Sequence, residues 1–203
     1  MEKKYKKLQA FNITEVNRLI RNRRTIKPEY YTGEIIEQET IDNILENANW
    51  APNHGLNEPW RFKVFSHNAK LKLGVFLADA YKEMTIANDR FNELKFNKII
   101  TRSEKASHII AIAMHRKPKT KIIEMEDMEA VACAVQNMHL TATAYGLAAY
   151  WSTGGVTYQP SAHKYLQLAD NERCLGFFYL GYPAKDWPEG KRKPIADKVT
   201  FLQ

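Results

Sequence analysis

The sequence predicts one domain of mixed helix and sheet, and three stretches carry that prediction. HIIAIAM at residues 108–114 and CLGFFYLGYP at 174–183 are continuous apolar runs of strand length, suited to strands covered on both faces. Between them, residues 128–149 repeat apolar side chains at alternating steps of four and three on two adjoining faces. A helix patterned over that much of its circumference has to be buried. The 203 residues are 44% hydrophobic and 26% charged, ordinary for a single domain spanning 1–203 with a substantial core.

Taken in order, Asn12 with Glu15 three positions later has the pattern of a capping box. The helix it starts carries Val16, Leu19 and Ile20 on one face and ends near Arg23. Thr40 is the expected cap of a second helix, with the stripe Ile41, Ile44, Leu45 and Ala48, and Pro52 stops it. Trp60, Phe62 and Val64 then alternate with Arg61, Lys63 and Phe65, the period of a strand with one side to the core. Residues 69–82 and 86–107 read as helices of weaker pattern. In the long helix, Val131, Val135, Met138, Ala142, Tyr145 and Ala149 form one face, and Ala130, Ala134, Asn137, Thr141, Ala144 and Ala148 a second. That second face is built of small residues that let another backbone approach closely, from the same chain or from a partner subunit. YWSTGG at 150–155 changes to turn chemistry, and KRKPIADKVTF reads as a basic, extended tail.

Composition removes several function classes. The amino terminus lacks the apolar core of a signal peptide, and nothing approaches the roughly 18 to 20 apolar residues of a membrane span, so a cytoplasmic protein is expected. Cys133 and Cys174 each lie in an apolar run and are expected to be buried free thiols. The six histidines form no HExxH or paired Cys/His spacing, so no metal is expected, and His108, His139 and His163 read as structural. GxGxxG and Walker loops are absent. The formal charge of +7, concentrated in KKYKK at 3–7, RNRRTIK at 21–27 and KRK at 191–193, favours an anionic ligand. A basic nucleic-acid-binding module is the alternative from another class. It lacks a recognised motif, and its aromatics sit in strand alternation instead of on an exposed platform, so nucleic acid is not the expected partner.

Three stretches carry chemistry: Arg23-Arg24-Thr25-Ile26-Lys27 at a helix end, the loop APNHGLNEPWRF at 51–62, and YWSTGG together with the later KRKP. They supply cations, hydroxyls and exposed backbone N–H groups suited to an anion and a planar, hydrogen-bonding ring. In this order, with AYGLAAYWSTGG after the long helix and LGYPA after the last strand, they resemble the nitroreductase family of FMN-dependent oxidoreductases over roughly residues 14 to 200. The match is nearest to the small single-domain branch with an AP-(Asp/Asn)-His loop.

The resemblance implies an α+β fold, a sheet wrapped by helices with the long central helix at the interface of an intertwined homodimer holding two FMN sites. The tail from about residue 186 to 203 is then expected to pack on the partner subunit. Arg23 and Thr25 fall at the phosphate and ribityl end of FMN, with Arg24 beside them, and Lys27 at the N1/C2-carbonyl edge, where it would stabilise developing negative charge. His54 matches a flavin-contacting loop histidine. Trp151, Ser152 and Thr153 match the loop that packs on the ring and offers N–H donors, and Arg192 matches a phosphate-binding cation that the partner chain can supply. Leu56 and Glu58 depart from the usual Asn and Gln of the 51–60 loop, and Glu58 is expected to accept loop or ring N–H bonds.

The implied activity is hydride transfer from NADH or NADPH through FMN to a small electron-poor acceptor such as a nitroaromatic or quinone, in ping-pong fashion. The cofactor carries the chemistry, so no side chain is assigned as catalytic. A flavin-dependent dehalogenase-like or flavin-modifying relative is the alternative within the fold; the dehalogenase lid finds no match in 84–104.

Overall fold

Six helices and four strands occupy the described residues, 9–202, of the computed structural model. The stretch KKYKK lies outside them. In chain order the elements are α1 (Ile13–Asn22), α2 (Gln38–Asn49), β1 (Trp60–Phe65), α3 (His67–Ile86), α4 (Glu93–Lys105), β2 (His108–His115), α5 (Glu124–Ala144), β3 (Ala148–Ser152), α6 (Pro160–Tyr165) and β4 (Glu172–Gly181). The strands form one antiparallel sheet in the order β1, β2, β4, β3, so the fold is α+β as expected.

The sheet is covered on both faces. Ile110, Ile112, Met114, Phe178 and Leu180 turn one way, onto Ile41 and Ile44 of α2 and Val131, Val135 and Met138 of α5. Ile109, Ala111, Phe177 and Tyr179 turn the other way, onto Leu73 and Leu77 of α3. This is why the β2 and β4 sequences are apolar at consecutive positions. Each fully buried Ile, Leu or Phe contributes about 1.5–3 kcal/mol, so these two layers are the main source of stability.

Local chemistry moves several boundaries. Asn12 caps α1 through Oδ1, which accepts from the Thr14 and Glu15 N–H groups at 3.0 and 3.4 Å. Glu15 does not complete the box; it pairs with Arg18 at 2.6 Å. No residue of α1 is buried, and Ile20 is 52% exposed, so the apolar face of this helix is left largely uncovered. Helix α2 starts before Thr40, because the Glu37 carbonyl already accepts from the Thr40 and Ile41 N–H groups. The small-residue face of α5 is crossed by α2: Asn137 donates to the Asn47 carbonyl and Asn47 to Thr141 Oγ1, both at 3.0 Å. Cys174 is buried as expected, but Cys133 is exposed.

Helix α5 ends earlier than its periodicity implied. Gly146, at φ +72°, is the left-handed residue of a Schellman stop. Its N–H bonds the Thr143 carbonyl, and the Leu147 N–H bonds the Ala142 carbonyl at 2.8 Å. Tyr145 and Ala149 therefore leave the helix, and Tyr150, Trp151 and Ser152 belong to strand β3 instead of a turn.

The register between β2 and β4 slips at Ile112/Ala113, a bulge centred on Leu175 and Gly176. Gly176 has φ +135°, and a Cβ there would lie 2.5 Å from the Ser152 carbonyl oxygen and from Trp151 Nε1. The bulge also leaves the Leu175 carbonyl free to accept from the Trp151 indole at 3.1 Å. Gly176→Ala is expected to destabilise the fold by about 2 kcal/mol or more and lower Tm by at least several degrees. Thermal unfolding followed by tryptophan fluorescence measures it.

Candidate functional site

The basic segment after α1 is fixed along the edge of the sheet. The Ile26 N–H donates to the Ala149 carbonyl at 3.1 Å, and Thr25 forms a parallel bridge with Ala149 of the edge strand β3. Ile26 is buried while Thr25 and Lys27 are exposed, the alternation of an extended chain. The tail returns to the same place: Trp187 Nε1 donates to the Asn22 carbonyl at 2.7 Å and Arg24 Nε to the Pro188 carbonyl at 2.9 Å. As a result Arg23, Arg24 and Arg192 of one chain, joined by Arg21, Gln136 and Gly190, line a cleft of about 530 Å3.

Charge in this cleft is uncompensated. Among the described residues none of these four arginines has a carboxylate within ion-pair distance, whereas Arg18, Arg102, Arg116 and Arg173 all do. Burial, then the neighbouring Arg192 and Arg24 charges, hold the Arg23 guanidinium below its ordinary pKa. Convergent guanidiniums with free N–H donors match the charge and geometry of a phosphate.

The other end of β3 borders a second cavity, of about 390 Å3. Trp151, Ser152 and Thr153 form one wall, and Tyr81, Met84, Lys95 and Arg102 from α3 and α4 form the facing one. Ala149 and Ser152 are three residues apart, about 10 Å of strand, so the arginine cleft and this cavity share one edge. Arg102 is bidentate to Glu29 at 2.8 and 3.1 Å, and Lys98 reaches the same carboxylate at 2.6 Å. Burial pushes the Glu29 carboxyl up, but these hydrogen bonds outweigh it and hold the pKa at about 2. Lys27 lines neither cavity; it precedes the short turn Pro28–Tyr30 that carries Glu29.

The 51–60 loop stands apart from both in this chain. His54 is exposed and pairs with Glu126 at 2.9 Å, near the start of α5, whereas Arg23 meets His139 of the same helix at 3.3 Å. Thirteen residues of helix separate those anchors, about 20 Å. The loop is held in a costly shape, with Leu56 and Glu58 at φ +50° and +47° as well as Gly55 at +59°. Buried Asn57 donates to Asp127 at 2.7 Å, Asp127 pairs with Arg116 at 2.7 Å, and Trp60 Nε1 donates to Asn49 at 2.9 Å. Glu58 is exposed and its N–H donates to Asn53 Oδ1 at 2.9 Å, while its carboxylate accepts no loop N–H bond among the described residues.

The model of the nitroreductase family matches residues 20–182. The chain belongs to the nitroreductase family. It is 29% identical over 186 residues to the Bacillus subtilis protein named "Putative NAD(P)H nitroreductase YfhC", covering 91% of this chain and 92% of that one. The crystal structure of a nitroreductase-like family protein from Bacillus cereus superposes with a TM-score of 0.77 at 27% identity, covering 98% of this chain and all of that one. A "putative nitroreductase in complex with fmn" from Desulfovibrio desulfuricans superposes at 0.72, also with 27% identity, covering 93% of this chain and 96% of the other.

In this nitroreductase-family chain one buried histidine backs an arginine of the cleft. His139, expected to be structural, is buried and also contacts Arg23; the guanidinium it meets lies far away in the sequence, so no local pattern signals the pair. Burial lowers its pKa, hydrogen bonds to the Ala149 and Arg24 backbone partly restore it, and Arg23 lowers it again, leaving about 4. The unfolded ring takes up a proton near its ordinary value of 6.5 and the folded ring only near 4. Stability is therefore full above pH 6.5 and falls by about 3 kcal/mol as pH drops to 4. Glu29 adds a separate loss between pH 4.5 and 2, as its carboxylate is protonated. Denaturant titrations at stepped pH should show the first slope removed in His139→Phe and the second retained.

Proposed function

We propose that this chain is an FMN-dependent NAD(P)H oxidoreductase that reduces a small electron-poor acceptor, such as a nitroaromatic or a quinone, in ping-pong fashion. The observation that carries the reading is the uncompensated arginine cleft at one end of β3, with an aromatic-walled cavity at the other. An elongated molecule with a phosphate on one end and a planar ring on the other fits that layout. FMN, when bound, supplies the hydride chemistry, taking hydride from NADH or NADPH and giving it to the acceptor.

The chain's own residues bind and orient. Arg23 and Arg192 hold the phosphate, Thr25 the ribityl end, and Arg24 pins the tail that delivers Arg192. Lys27 stabilises negative charge at the pyrimidine edge of the ring, and Trp151, Ser152 and Thr153 form the ring's wall. The α3 and α4 side chains opposite them shape the space for the acceptor.

His54 and its loop reach such a ring from a second copy of the chain. The bare apolar side of α1 and the exposed tail residues Ile195, Phe201 and Leu202 support a homodimer in which these surfaces are covered. A cytoplasmic location goes with this reading, and among the described residues no helix is long and apolar enough to cross a membrane.

The deciding measurement is the absorbance spectrum of the purified protein, followed by anaerobic NADH and then NADPH. Flavin bands that bleach support the proposal; a colourless protein that takes up no added FMN overturns it in favour of the basic-surface alternative. Arg23→Ala is expected to weaken FMN retention at least tenfold. Lys27→Ala is expected to lower the reduction potential of bound FMN, and an unchanged potential removes that role. Ile20→Glu should shift the assembly from dimer toward monomer in sedimentation velocity.

A further inference from the structure

His139 sits on the inner face of α5, 7% exposed, with its ring edge-on to Phe178 at a centroid distance of 5.3 Å. Its Nε2 lies 3.1 Å from the Ala149 carbonyl oxygen. A carbonyl only accepts, so Nε2 carries the ring proton and donates it. The neutral ring then presents a lone pair at Nδ1, and Arg23 NH1, 3.3 Å away, donates to it. The ring is thus fixed by a backbone acceptor on one side and by aromatic packing on its face before it meets the arginine.

We propose that His139 is a positioning residue for the phosphate site: its neutral imidazole holds the Arg23 fork aimed into the cleft shared with Arg24 and Arg192. The inference rests on the reading of that cleft as the phosphate site of FMN. The choice of group follows from electrostatics. Arg24 and Arg192 repel Arg23 and favour its swinging out to solvent, so an acceptor is needed on the protein side. A carboxylate there would hold the guanidinium more tightly but would cancel the charge and compete with the arriving phosphate. A neutral imidazole takes one of the five guanidinium N–H donors and leaves the positive charge and the remaining donors available. Burial, which disfavours the imidazolium, keeps the ring in that form across the neutral range.

The test compares FMN with riboflavin, which lacks only the phosphate, by measuring both Kd values on apoprotein. Wild type should bind FMN far more tightly. His139→Phe keeps the ring packing but removes the Nδ1 acceptor, and it should lower the riboflavin-to-FMN Kd ratio about tenfold while riboflavin affinity holds. His139→Asn, whose Oδ1 can replace the acceptor, should restore most of the ratio. In an Arg23→Ala background, His139→Phe should change the ratio no further. If His139→Phe weakens both ligands alike, or moves Tm without moving the ratio, the residue is only packing and the proposal fails. If wild type itself does not discriminate, the phosphate reading of the cleft fails, and the role of His139 with it.

Discussion

One carbonyl oxygen, that of Ala149, joins the parts on which the site depends. It accepts from the Ile26 N–H and from His139 Nε2, each at 3.1 Å. The first bond seats the segment after α1 against the edge strand, and the second orients the histidine that meets Arg23. Ala149 is itself placed by the Schellman stop at Gly146 and by pairing with Leu180 of β4. The backbone of a short edge strand therefore sets both the path of the basic segment and the direction of its first arginine. Small residues at 148 and 149 leave room for that approach, and both are buried.

Charge is treated in opposite ways at the two ends of this edge. Beside the cavity, Glu29 gathers Lys98 and Arg102 into a paired cluster, which fixes α4 against the turn at Pro28–Tyr30. At the cleft, arginines from both ends of the described chain are drawn together, and among the described residues no carboxylate lies within ion-pair distance of them. Like charges brought close oppose folding, so that arrangement is maintained by the hydrogen bonds from Trp187 and Arg24 to backbone carbonyls. A site of this kind is less stable empty than filled, because an anionic ligand relieves the repulsion.

The layered core was legible in the sequence and much of the site was not, for identifiable physical reasons. β2 and β4 are covered on both sides, so their apolar residues run on without interruption and mark them as strands. Ala148 and Ala149 are apolar and small, compatible with helix and strand periods alike, and the decisive signal was the single Gly146. The cleft has no local signature, since Arg23 and Arg192 are far apart in sequence and only the backbone bonds of Asn22 and Pro188 bring them together. The family resemblance marks Arg23 and Arg192 as phosphate cations but leaves open which chain supplies Arg192. His139 remained hidden even so, because a histidine on a buried helical face is most simply read as core, and what distinguishes it is the orientation of its two ring nitrogens.

The 51–60 loop and α1 present the same problem from different sides. The loop is locked through Asn57, Asp127 and Arg116 into a conformation with left-handed non-glycine residues, which is more constraint than a connection between α2 and β1 requires. Helix α1 has only ten residues and buries none of them, and so short a helix gains little stability from its own hydrogen bonds. Its strength has to come from covering the face that carries Val16 and Ile20, and its last turn leads directly into Arg23. Covering that face with a second copy would therefore order the helix and steady the arginine in the same step. In the proposed homodimer, linkage would make a phosphate held at Arg23 strengthen the assembly by as much as the assembly strengthened the phosphate contact, so dimer formation and cofactor retention would be coupled.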